Sequence, residues 1–156
     1  MGRIWRFIDE YRWLSNFWPA EVTLDGVVYP SVEHAYQAAK TLDPAFRAKI
    51  AGAKTPGDAK RLGKQLNSNG LKRPDWDKIN IGIVRDLLIQ KFRYPDLRKK
   101  LLDTGNTELV EGNYWHDNFW GKCYCYRCYY KLGKNALGNL LMEVREFYRT
   151  LSTNIG

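Results

Sequence analysis

Pro30-Ser31-Val32-Glu33-His34-Ala35-Tyr36-Gln37-Ala38-Ala39-Lys40-Thr41 reads as a short helix around which the rest of the chain is organised. Ser31 is a good N-cap, because its hydroxyl can accept from a first-turn backbone N–H. Pro30 biases against an earlier start, and Ala35, Ala38 and Ala39 are strong helix formers. Glu33, Gln37 and Lys40 then fall at i, i+4 and i+7, so an acid, an amide and an amine share one stripe. Tyr29 and Tyr36 flank that row, and the stretch before it is rich in aromatics. A polar row in aromatic surroundings reads as the wall of a pocket. Taken alone, the same residues also read as an ordinary Glu–Lys surface helix with Tyr36 as its core contact, and on the helix alone this plainer reading is favoured.

Upstream, residues 4 to 8 read as a strand and 9 to 17 as a loop. Asn16 lies in that loop among Trp13, Phe17 and Trp18; such an Asn is either a turn cap or needs buried partners or a ligand. Asp25-Gly26, between strands at 20–24 and 27–29, is a two-residue hairpin turn. Downstream, a helix is expected over 44–52. Another opens with Thr55 as N-cap and Pro56 at N1. It carries Lys60, Arg61 and Lys64, which with Lys54 form either an anion site or a solvated basic face.

A long helix over 76–92, with Trp76, Ile79, Ile83, Leu87 and 89–92 on an apolar stripe, is core scaffolding. Further helices are expected over 95–102 (Leu97, Leu101 and Leu102 inward) and 137–148 (Leu140, Leu141, Val144 and Phe147 inward), with a strand over 107–111. The fold class that follows is α+β: one mostly helical domain spanning residues 1–156, with a small sheet built from the N-terminal strands and 108–111.

A chain of 156 residues with 44% hydrophobic and 27% charged residues is globular, which excludes wholesale disorder. No apolar run approaches the roughly 18 residues of a membrane span. The N-terminus has no secretory h-region, and Arg6 stands where myristoylation wants Ser or Thr, so no membrane association and a cytoplasmic location are expected. A net charge of +8 and a pI near 9.4 favour anionic partners such as nucleotides, sugar phosphates or nucleic acid. Six Trp and ten Tyr suit a site that stacks bases. The sequence leaves the oligomeric state open.

Three groups of residues could carry chemistry. Glu33 and Lys40 can act as base and nucleophile if burial and mutual contact tune them. Asp117, in Tyr114-Trp115-His116-Asp117-Asn118-Phe119-Trp120-Gly121, is either a turn residue or a carboxylate that stabilises an oxocarbenium-like centre beside Trp rings. Cys123-x-Cys125-x-x-Cys128 has ligand-like spacing, but structural zinc wants four ligands and only His116 or His34 could complete the set. That comparison favours free or loop-stabilising thiols, and no metal is expected. The chain has no Walker A loop, no Rossmann glycine fingerprint and no His-Glu-x-x-His motif, and no cofactor is expected.

Taken together, these residues resemble the YbiA-like NADAR family of N-glycosidases. The resemblance runs through nearly the whole chain: Leu14-Ser15-Asn16-Phe17; Ser31-x-Glu33-His34-x-Tyr36-Gln37-Ala38-x-Lys40; Trp76 with Lys91-Phe92; Leu109-Val110-Glu111; Asp117-x-x-Trp120-Gly121; Gly133-Lys134-Asn135-x-Leu137-Gly138; and Leu141-Met142-Glu143-Val144-Arg145. It implies hydrolysis of an N-glycosidic bond at ribose C1. The implied substrate classes are phosphoribosylamino intermediates of riboflavin synthesis and ADP-ribose attached to guanine, free or on nucleic acid. It also implies catalytic roles for Glu33, Lys40 and Asp117, with Lys40 as a Schiff-base nucleophile, and substrate contacts from Asn16, Trp18, Tyr36, Gln37, Trp120 and Asn135. Asn16, Glu33 and Asp117 are then expected to converge on one cleft. The departure is the Cys-containing loop at 122–132, where other members carry a Gly-rich stretch. Two rival functions remain: a non-catalytic ADP-ribose or NAD-binding module using Trp18 and Trp120, and a nucleic-acid-binding protein supported only by charge and aromatics.

Overall fold

In the computed structural model, which describes residues 2–155, the chain runs β1 (Arg3–Ile4), a 3-10 turn (Asp9–Leu14), β2 (Pro19–Leu24), β3 (Val27–Ser31), α1 (Val32–Ala39), α2 (Pro44–Ala51), α3 (Pro56–Lys64), a short 3-10 turn (Gln65–Asn67), α4 (Trp76–Lys91), α5 (Pro95–Asp103), β4 (Glu108–Leu109), β5 (Gly112–Asn113), β6 (Lys122–Cys123) and α6 (Ala136–Ile155). The architecture is α+β and mostly helical. Among the described residues the strands form three two-stranded sheets, β1–β4, β2–β3 and β5–β6, where the sequence suggested one small sheet. Among the described residues, no helix is long and apolar enough to cross a membrane. Two compact units are present: Asn16–Lys91, and a second that joins the segment up to Ser15 with the segment from Phe92 onward.

The Asn16–Lys91 unit is built on α1. Asp25 and Gly26 both take positive φ (49° and 80°), the requirement of a type I′ turn, so β2 and β3 pair antiparallel with Val22 opposite Tyr29. The hairpin hands the chain to α1, where Ser31 Oγ accepts from His34 N. Helix α1 packs against α2, α3, α4 and the hairpin, and its alanines 35, 38 and 39 are fully buried. Small side chains allow that crowding.

Arg47 on α2 secures the far end of α1. Its Nε donates to the carbonyls of Ala38 (3.2 Å) and Thr41 (2.7 Å), and its Nη1 pairs with Asp25 Oδ2 at 2.6 Å. Carbonyls in the last turn of a helix lack intrahelical donors, so a buried guanidinium satisfies groups that would otherwise be orphaned. Asp43 caps α2 and Thr55 caps α3, each with proline at the first turn.

Helix α4 buries Trp76, Asn80, Val84, Leu87, Leu88 and Lys91. The inward stripe is therefore rotated from the expected one: Ile79 and Ile83 are only half-buried, and Asn80 and Val84 take the core positions.

In the other unit β1 and β4 pair in parallel, Arg3 with Glu108 and Ile4 with Leu109. Helix α5 packs on α6; Leu97 and Leu101 are buried on the first, and Leu137, Leu140, Leu141 and Val144 on the second. Phe147, expected inward, is exposed, and Tyr148 takes the buried place. Helix α6 also continues past 148 to Ile155. Arg145 donates to Thr104 Oγ1 and Thr107 O, and Arg149 to Gly105 O, so α6 holds the turn that leads into β4.

Candidate active site

Within the Asn16–Lys91 unit the acid, amide and amine row forms as the sequence suggested. Glu33 and Gln37 are buried on α1, and Gln37 Nε2 donates to Glu33 Oε1 at 2.8 Å. That bond orients the carboxylate and assigns the Gln37 amide, whose Oε1 is then buried with no hydrogen-bond partner among the described residues. Asn16 is tied to the same turn: its backbone carbonyl accepts from Glu33 N at 3.0 Å. Its side-chain Oδ1 is likewise buried without a hydrogen-bond partner. An unsatisfied buried carbonyl oxygen costs on the order of 1–3 kcal/mol, so Asn16 Oδ1 suits a ligand carrying a hydroxyl or amine donor, whereas Gln37 Oε1 lies against Gly63 of α3.

Lys40 is the C-cap residue of α1 and is half-buried. Burial is the main cause that lowers its amine to about 8. The charge of Glu33 pulls it upward, and Lys72 and Lys60 push it down. At neutral pH such a lysine keeps an appreciable neutral, nucleophilic fraction. Its Nζ lies 4.8 Å from the centre of the Tyr36 ring, and Tyr36 in turn packs on Trp76 at 5.4 Å. Trp18 is half-buried immediately before β2.

His34, in the middle of the row, is structural. Its Nε2 faces the Ala53 carbonyl at 3.0 Å and must donate there, so Nδ1 accepts from Ser31 Oγ at 2.7 Å. The opening turn of α3 is a capped surface helix: Thr55 Oγ1 accepts from Asp58 N, and the Asp58 carboxylate pairs with Arg61. A carboxylate in that first turn is a poor neighbour for phosphate, and Lys60 and Lys72 place further positive charge near Lys40.

Asp117, Trp120 and Asn135 belong to the other unit. Asp117 Oδ1 accepts from the N–H groups of Phe119 (3.0 Å) and Trp120 (2.9 Å). Asn113 holds the Asp117 backbone from both sides, accepting from its N–H and donating to its carbonyl. Trp120 stands edge-on to Phe119 at 4.9 Å. Asn135, at φ 50°, accepts from Glu111 N and donates to Leu109 O, so its amide braces the chain between β4 and α6. These bonds make Asp117 and Asn135 framework residues whatever else they contact.

Lys91 enters the sequence analysis only within the 89–92 stripe and the Lys91-Phe92 pair, with no role of its own. It is fully buried at the end of α4, and burial lowers its amine to about 7. The available signal was a lysine on the inner stripe, seven residues after Val84 and three after Leu88.

Comparison with known proteins identifies the family. The NADAR domain profile matches residues 5–149. N-glycosidase YbiA of Escherichia coli (strain K12) is 38% identical over 145 residues, covering 88% of this chain and 82% of that protein. Its solution structure superposes with a TM-score of 0.80 and 32% identity, over 97% of this chain and 86% of that one. An N-glycosidase of Nostoc punctiforme is 37% identical over 99% of this chain and 94% of its own length. A riboflavin biosynthesis protein of Vibrio vulnificus is 35% identical over 88% of this chain, a match that spans 36% of that larger protein. The chain belongs to the NADAR domain family of N-glycosidases.

Proposed function

We propose that this N-glycosidase cleaves the C1–N bond of a phosphorylated ribosyl-amine or ADP-ribosyl compound, either a riboflavin-pathway intermediate or ADP-ribosylated guanine. The observation that carries the reading is the half-buried Lys40 amine, lowered to about 8, under the charge of a Glu33 carboxylate that Gln37 holds in place.

In the ring-opened form the ribosyl-amine is an imine at C1. Neutral Lys40 Nζ adds to that carbon, and the displaced electron pair goes to the substrate nitrogen. Glu33 carries the two Nζ protons in turn to the leaving nitrogen, which departs as an amine as the C1–N bond breaks and the Nζ–C1 imine forms. Water then hydrolyses the lysine imine, which releases the sugar aldehyde and regenerates the amine. Lys60 and Lys72, which act on Lys40 electrostatically, supply positive potential for a phosphate. Asn16 Oδ1 would accept from a ribose hydroxyl, and Tyr36 and Trp18 offer aromatic surface to a base. The match to a riboflavin biosynthesis protein supports the phosphoribosylamino class.

The direct test incubates the protein with phosphoribosylaminouracil and with ADP-ribosyl-guanosine and measures released base and sugar. Release from one of them is expected. Release from neither, with enzyme in excess, would end this reading.

A second expectation concerns the packing behind the carboxylate. A Cβ on Gly63 of α3 would fall on Gln37 Oε1. Gly63→Ala is therefore expected to push the Gln37 amide off Glu33 and to lower kcat/KM by roughly 10²-fold, the usual consequence of a displacement near 1 Å in a positioned group. Gly82 has nothing within 4 Å of such a Cβ, and Gly82→Ala serves as the control that should retain activity. Equal kinetics in the two variants would remove Gln37 from the mechanism.

A further inference from the structure

We propose that His116, Cys123, Cys125 and Cys128 bind one structural zinc ion. The ligand atoms of these four side chains all lie within 4.8 Å of one another. His116 Nδ1 is 3.3 Å from Cys128 Sγ, 3.4 Å from Cys125 Sγ and 3.9 Å from Cys123 Sγ. In a tetrahedral site with Zn–S near 2.3 Å and Zn–N near 2.0 Å, the N···S edge is about 3.6 Å. The three measured distances bracket that edge. Three thiolates and one imidazole complete a closed four-ligand set, which leaves no open position for catalysis and makes the ion a structural one.

The backbone is arranged to produce this cluster. His116 takes φ 71°, a conformation uncommon for a non-glycine residue, and its N–H points at Cys123 Sγ at 3.3 Å. Cys123 N donates to Asn118 Oδ1, and Cys128 N donates to the Cys125 carbonyl, closing the turn that brings those two sulfurs together. His34, the other histidine that could have served, has both ring nitrogens engaged with Ser31 and Ala53.

The loop also has little hydrocarbon reason to fold. Between 122 and 132 Tyr124 packs edge-on to Trp5 at 5.4 Å, but most of the large side chains face solvent, with Tyr126 77%, Tyr129 74%, Tyr130 70% and Leu132 94% exposed. What it buries are the sulfurs of Cys123 and Cys128. A segment that sends most of its aromatics outward needs another source of order, and a bound metal supplies one. A disulfide would use two of the sulfurs and leave the third thiol against an imidazole. His116 directly precedes Asp117, so the ion would also fix the start of the turn from which Asp117 caps Phe119 and Trp120.

Elemental analysis of protein purified without chelator is expected to find one zinc per chain, and an equal content in Lys40→Met. Cobalt added to the apoprotein is expected to show thiolate charge-transfer bands and the ligand-field bands of a tetrahedral site. Cys125→Ser and His116→Ala, at the two more exposed positions, should lose the zinc while keeping a native far-UV dichroism spectrum. The proposal is overturned by wild-type protein that holds no zinc after incubation with zinc and gel filtration. It is equally overturned by cobalt spectra without thiolate bands, by a disulfide among the three cysteines in the fresh protein, or by zinc retained in both variants.

Discussion

Borohydride added during turnover is expected to leave a reduced ribosyl adduct on Lys40, and Lys40→Met is expected to lose about 10³-fold or more in kcat/KM, the scale at which a positioned proton-transfer or nucleophilic group contributes. The neutral amine is the reactive form. Activity should therefore rise with pH through the pKa of about 8 that burial gives Lys40. The charge of Glu33 raises that value, so Glu33→Gln, besides slowing the reaction, should move the rising limb of the pH profile to lower pH. Lys40→Arg keeps the charge but has no nucleophilic nitrogen near neutral pH. If Lys40→Arg retains substantial activity and no adduct forms, water is the nucleophile and Glu33 its general base.

The acid, amide and amine row was legible because it depends on local rules alone. A capping serine, three alanines and helical spacing place Glu33 and Gln37 on one face and Lys40 at its end. Asn16 was legible as a polar residue among aromatics, and its buried Oδ1 caps no backbone N–H among the described residues. Asp117 was harder: its carboxylate caps two backbone N–H groups, which agrees with the turn reading, and a spacing rule cannot separate a capping carboxylate from a reactive one.

The errors in the helices have a common cause. Helix α4 carries isoleucines on both sides of its true inner stripe, so hydrophobicity alone left its rotation open, and Asn80 and Lys91 sit where a pattern reader expects apolar residues. On α6, Phe147 and Tyr148 are adjacent and both aromatic, and only the packing chooses Tyr148. His116, named from the sequence beside His34 as a residue that could complete the thiol set, is brought to the three sulfurs by its left-handed backbone, which no cysteine spacing announces.

Lys91 should give the largest pH effect on stability. Unfolded, its amine titrates near 10.5; folded, burial lowers it to about 7. Between those values the unfolded chain holds a proton that the folded chain lacks. Lowering the pH therefore favours unfolding, and the native state gains stability as pH rises from about 7 toward 10.5, by about 1.4 kcal/mol per pH unit for one such group. Lys40, lowered to about 8, adds a similar term from pH 8 upward, so the wild-type slope alone does not isolate Lys91. Tyr29 and Tyr148 are raised by burial and act in the opposite sense near and above pH 10, which sets the upper limit of the useful window.

Urea unfolding of the wild type and of Lys91→Met at pH 7.5, 8.5 and 9.5 separates these contributions. Methionine fills a similar volume and does not titrate. The gap between the two proteins is expected to change by on the order of 2–3 kcal/mol across the window, with the wild type gaining as pH rises. Stability curves that run parallel in the two proteins would mean that Lys91 keeps its ordinary pKa through a charge partner, and the buried amine would then be an ion-paired structural group.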